Sequence, residues 1–121
     1  EALFLIALAE GLEHDPLGAL ERAANHLIGL SRAKGCGPNL RLTAALSDGE
    51  RLYAVRYATD DHAPTLYHRW SDRRMGRAVV SEPLESDEGD WVEVPQGSFC
   101  IFEGRDVTLL PFNPEAARLA A

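Results

Sequence analysis

At 121 residues the chain is long enough to bury one core and too short for two ordinary domains. Its 45% hydrophobic and 26% charged residues fit a folded, soluble domain and exclude a disordered or fibrous chain. A formal net charge of −7 sets it against the phosphate backbone of a nucleic acid and against an anionic membrane surface, so neither is expected as a partner.

The first element is the run ALFLIALA at residues 2–9, rich in helix formers and apolar on every side, which predicts a helix covered all round. No N-cap precedes it and the chain has no starting methionine, so the sequence reads as cut from something longer. The run is too short to span a bilayer and lacks the basic segment of a signal peptide, which makes a cytoplasmic protein the expectation. A second helix follows, with Asp15 as N-cap, Pro16 at the first position, and Leu17, Leu20, Ala24, Leu27 and Ile28 at helical spacing. Arg32 and Lys34 suit its last turn, and Gly35 suits a left-handed closing residue. The two helices are predicted to form an antiparallel hairpin, with His26 at its surface rather than serving as a ligand.

Strands come next. Residues 39–46 alternate Leu40, Leu42, Ala44 and Leu46 on one face, and Ser47-Asp48-Gly49-Glu50 is a turn signal before a second run at 52–57. Arg56 interrupts that run; the two readings are a guanidinium at the sheet edge and one paired with a carboxylate, and the edge is the expectation. Asp60, Asp61, His62 and His68 are all metal-ligand types, but they have no recognised spacing and Pro64 holds Ala63 extended, so 59–64 reads as a polar loop. Residues 65–70 form a short strand with Leu66 and His68 on one side and Tyr67 and Arg69 on the other. The basic cluster Arg69, Arg73, Arg74 and Arg77 reads as a solvated face or a set of salt bridges, not as a phosphate patch.

Residues 78–102, AVVSEPLESDEGDWVEVPQGSFCIF, join two apolar runs through an acidic loop. Pro83 lacks an N–H and so ends the first run after Ser81 and Glu82, and Pro95-Gln96-Gly97 is a turn in which Gly97 is free to take positive φ. Residues 98–102 form the next strand, 103–106 a turn, 107–111 the last strand, and 115–121 a short terminal helix. Helices first and hairpin-linked strands afterwards make an α+β domain with a mainly antiparallel sheet.

The residues by themselves show no catalyst. There is no Gly-rich phosphate loop, no G-x-S-x-G, no HExxH and no Ser/His/Asp set, and no metal site or cofactor is implied. Cys36 and Cys100 have neither C-x-x-C nor Cys/His spacing, which leaves reduced thiols, Cys100 in the core and Cys36 in a loop without an identifiable base.

The order V-V-S-E-P-L, then W-x-x-V-P-x-G, then a β-run resembles the C-terminal part of the class II glutamine amidotransferase domain, above all its small stand-alone members and those of ergothioneine synthesis. Residues 1–8 are similar to the family segment that follows Thr-Asp-Ser-Glu, 39–57 to its hairpin, and 60–69 to the adjoining loop and strand. The resemblance implies a four-layer αββα sandwich of the N-terminal-nucleophile type, of which residues 1–121 are the C-terminal part of one domain. It further implies that the intact protein hydrolyses the amide of glutamine or a γ-glutamyl compound with an N-terminal cysteine whose own α-amino group is the base. The nucleophile, the substrate arginine and the oxyanion Asn-Gly all belong to the N-terminal half, so no catalytic residue is carried over here and this chain alone is expected to be inactive. Glu1 matches the Glu that ends Thr-Asp-Ser-Glu. Ser81 and Glu82 match the family's Ser-Glu at a strand end near the sandwich interior, which makes them weak candidates for substrate binding. The alternative is a non-catalytic acidic module that docks to a partner through its apolar first helix and one sheet face; on the first reading, self-association or docking to the missing N-terminal half is expected.

Overall fold

The computed structural model describes residues 2–35, 40–83 and 90–115. The expectations for Glu1, for Cys36 and for a helix beyond Glu115 lie outside the described residues. The chain divides into two compact units, one comprising residues up to Leu40 with those from Phe112, the other Arg41–Pro111.

The helical unit contains α1 (Ala2–Ala9) and α2 (Pro16–Ala33), packed against each other. The second helix begins where its signals lie: the Asp15 carboxylate accepts the Gly18 N–H at 3.1 Å and Pro16 opens the first turn. It ends at Gly35, whose φ of +75° is the left-handed closure expected. Arg22 ties the helices together by donating to the Glu10 carbonyl at 2.7 Å and pairing with the Glu10 carboxylate at 3.3 Å. The Asn113 N–H donates to Glu21 at 2.7 Å, which holds the segment after the last strand to α2. The cover expected all round α1 is not found. Ala7 is buried and Leu3 and Ile6 are half-buried, but Phe4 and Leu5 are 50% and 60% exposed and Leu8 is exposed too. One neighbouring helix covers one side of a cylinder, and an all-round apolar sequence does not supply the second neighbour.

The strand unit contains β1 (Arg41–Ser47), β2 (Leu52–Ala58), β3 (Tyr67–Ser71), β4 (Gly76–Val80), β5 (Val92–Glu93), β6 (Ser98–Glu103) and β7 (Asp106–Pro111). Every described pairing is antiparallel, as the hairpin signals require, and the strands form two sheets: β1-β2-β6-β7 and β4-β3-β5. The first hairpin turns at the predicted place, with Ser47 opposite Leu52 and the Asp48 carboxylate accepting the N–H groups of Glu50 and Arg51. Gly97 takes φ +71° and its N–H donates to the Arg56 carbonyl at 2.7 Å, so the turn before β6 needs the residue without a Cβ. Between the sheets lies a core of Ala54, Leu66, Val94, Cys100 and Phe102, with Leu52 and Val79 packed on it. The register puts Leu109 opposite Cys100 and Val107 opposite Phe102, on this inner face, yet both are exposed.

Candidate functional site

Two arginines of the strand unit point inward, and they do different things. Arg56 sits on β2, a central strand, and is 7% exposed. Its guanidinium donates to the carbonyls of Pro64 (3.0 Å), Ala63 (3.2 Å) and Val94 (2.7 Å), and Nη1 reaches the Glu93 carboxylate at 3.4 Å. The edge expectation is therefore wrong and the carboxylate-paired reading is right. Loops cannot hold their carbonyls dry without a donor, and one five-donor fork serves three such carbonyls at once.

Arg77 is the second. It lies on β4 opposite Trp70 of β3, and Val79 of β4 lies opposite His68, so Arg77, Trp70 and His68 share the inner face of the small sheet. His68 is buried against the Phe102 ring, centroids 4.7 Å apart, and Arg77 stands 4.8 Å over the same ring. Arg77 Nη1 is 2.9 Å from His68 Nδ1. A guanidinium has no lone pair to give, so it donates and His68 Nδ1 accepts, which makes His68 the neutral Nε2–H tautomer. Burial, reinforced by the Arg77 charge, pushes the His68 pKa below its ordinary value, and burial likewise lowers that of Arg77.

His68 and Arg77 line a groove of about 610 Å³ together with Trp70 and Arg73, and Val92 and Val107 contribute apolar surface to it. Of the basic cluster, Arg73 and Arg74 are solvated as expected, while Arg69 lies 4.6 Å over the Trp91 ring and Arg77 faces inward. The solvated reading fails for Arg77 because strand alternation sends it to the face opposite Ala78. His68 and Leu66 share a buried side, as alternation predicts. The loop at 59–64 is polar: Arg41 pairs with Asp60 at 2.7 Å, and the other Asp60 oxygen accepts the His62 N–H at 3.1 Å. Among the described residues no three His, Cys, Asp or Glu side chains are grouped to hold a metal. No described helix is long and apolar enough to cross a membrane.

No family model matches the chain, and no curated protein matches it. A solved structure does: a glutamine aminotransferase class-II domain protein from Silicibacter pomeroyi aligns with 93% of this chain at 55% identity and a TM-score of 0.85. The chain belongs to the class II glutamine amidotransferase family. It spans 50% of the length of that neighbour.

Within this chain the weak substrate candidates stand apart from the groove. Ser81 and Glu82 follow β4 where Pro83 was expected to end it, and both side chains are exposed. The Ser81 carbonyl accepts the Thr65 hydroxyl at 2.9 Å, and neither residue lines the groove. Cys100 is buried beside Phe102, as predicted for a core thiol, and burial raises its pKa. His26 is exposed on α2. The Arg77–His68 pair was missed because each residue belonged to a different reading, one to a basic cluster and one to a short strand. Only the pairing register brings them to one face.

Proposed function

We propose that these residues form the C-terminal part of a single class II amidotransferase domain, and that the intact protein hydrolyses the carboxamide of glutamine or a related γ-glutamyl compound. The observation that carries this is the 55% identity to a glutamine aminotransferase class-II domain protein of which the chain spans half. In the proposed reaction the α-amino group of an N-terminal cysteine takes the thiol proton and the sulfur adds to the amide carbon. Ammonia then leaves with that proton, and water cleaves the thioester to a carboxylate. Cys100 is unsuited to the first step: it is buried in the core, its pKa is raised, and it has no α-amino group of its own. The nucleophile therefore falls to residues outside this chain, and the part described here is scaffold.

Glutamate release by the intact protein tests the proposal. Replacing its N-terminal cysteine with alanine should lower release by at least about 1,000-fold. Residues 1–121 alone should release none above a Cys36→Ala, Cys100→Ala control, and release above that control would overturn the assignment. One observation favours a second reading, an acidic interaction module: the exposed Phe4, Leu5 and Leu8 of α1 form an apolar docking face. Under that reading the intact protein would release no glutamate from any γ-glutamyl amide.

A further inference from the structure

Arg77 carries a charge that nothing among the described residues balances. Of the five N–H groups of a guanidinium, one goes to His68 Nδ1 and one, at 3.4 Å, to the Arg105 carbonyl. Both acceptors are neutral. Nε is shut off from solvent and has no hydrogen-bond partner. The carboxylates near the groove are turned elsewhere or lie out in water: Asp72 accepts the Trp70 indole N–H at 3.1 Å and pairs with Arg105, while Asp90 is exposed and forms no ion pair with Arg77. The Cys100 thiol is kept protonated by burial, so it is no counter-ion either. The rings of Phe102 at 4.8 Å and Trp70 at 5.8 Å offset part of the cost, but a partly desolvated cation with unused donors still calls for an anion.

We propose that Arg77, with Arg73 beside it, binds the carboxylate of a small molecule whose apolar portion lies against Trp70 and Val107. The groove of about 610 Å³ is of the size that holds such a molecule. Among the described residues its lining sets Arg73 and Arg77 against Asp90, since Asp72 is paired with Arg105, which leaves one positive charge. That balance suits a monocarboxylate and disfavours a phosphate dianion, which the same aspartates would repel. Arg77 is preset for the role: His68 and Phe102 fix the guanidinium plane, so little rotamer freedom remains to be lost on binding. The site does not depend on the amidotransferase reading, and its test uses no enzymatic readout.

The test is a titration of the intact protein with 3-phenylpropionate, followed by NMR at the Trp70 indole N–H and the Arg77 Nε–H. Parallel titrations use 3-phenylpropanamide, which has the same shape without the charge, and inorganic phosphate. A saturable shift of both signals with the carboxylate, with the amide and phosphate each at least about tenfold weaker, is expected. Arg77→Gln should weaken carboxylate binding by about tenfold or more. The exposed Arg73→Gln, which cannot disturb the core, should weaken it by about threefold and gives an answer even where the Arg77 variant fails to fold. Equal affinity for acid and amide, tighter binding of phosphate, or no saturable shift in the intact protein would each overturn the proposal, the last by placing a carboxylate of the protein itself on Arg77.

Discussion

At the scale of the residue, His68 makes folding sensitive to mild acid. The unfolded chain protonates a histidine near 6.5, whereas in the fold burial and Arg77 hold the pKa of His68 lower. As pH falls through about 6.5, the unfolded state takes up a proton that the folded state refuses, so stability is full above that value and declines below it until folded His68 titrates. Asp48 and Asp60, lowered by hydrogen bonds from the Arg51 N–H and the Arg41 side chain, act in the same direction but only below their ordinary value of 3.8. Urea midpoints of the intact protein should therefore drop between pH 7 and pH 5, and His68→Gln should flatten the drop, because its amide oxygen can accept from Arg77 and has no proton to gain. An unchanged slope in the variant would remove His68 as the cause. This pair, like Arg56, was only half legible. Alternation places a residue on a face, but whether the face is dry depends on what folds over it, and Val94 and Phe102 lie far from Arg56 and Arg77 along the chain.

At the scale of the element, the signals that were read correctly are those that act within a few residues. Asp15-Pro16, Gly35 and Asp48-Gly49 each set a local boundary by capping or turn chemistry, and the structure puts α2 and the first hairpin there. The hairpin signals did not show how the strands divide into two sheets, because β2 pairs with β6 across the whole β3–β5 segment and no local pattern encodes that choice; only the family resemblance implied two sheet layers. Helix α2 also carries two glycines that separate competing terms. At Gly29 an added Cβ meets nothing within 4 Å, so Gly29→Ala should gain the helix-propensity difference of about 1 kcal/mol, raising the melting temperature by about 4 °C. At Gly18 the same Cβ would overlap the Asp15 carboxylate, which must then leave the Gly18 N–H. The lost cap, also worth about 1 kcal/mol, cancels the gain and Gly18→Ala should be near neutral. Differential scanning calorimetry of both variants of the intact protein separates the two, and equal stabilisation would show that the Asp15 cap contributes nothing.

At the scale of the whole molecule, the two units each leave apolar surface in water. On α1 it is Phe4, Leu5 and Leu8; in the strand unit it is Val92, with Val107 at 45% and Leu109 at 55% exposure on the inner face of the larger sheet. The second patch is a direct continuation of a core, since Leu109 and Val107 lie opposite Cys100 and Phe102 while the smaller sheet covers only the neighbouring strands. Leaving aside Val92 and Val107, which line the groove, covering the exposed half of the other four side chains is worth about 1 kcal/mol apiece, which together approaches the lower end of the roughly 5 to 15 kcal/mol that stabilises a domain. A protein of the neighbour's length, of which this chain spans 50%, has as much chain again available to provide that cover. Residues 1–121 expressed alone should then melt well below the intact protein or self-associate through these patches. Replacing Phe4, Leu5, Leu8 and Leu109 by polar residues should restore a monomer of residues 1–121 in sedimentation, while destabilising an intact protein whose remaining chain covers the same side chains. An unsubstituted monomer of residues 1–121 melting as high as the intact protein would show instead that these faces belong to the solvent and that the chain is complete as a folding unit.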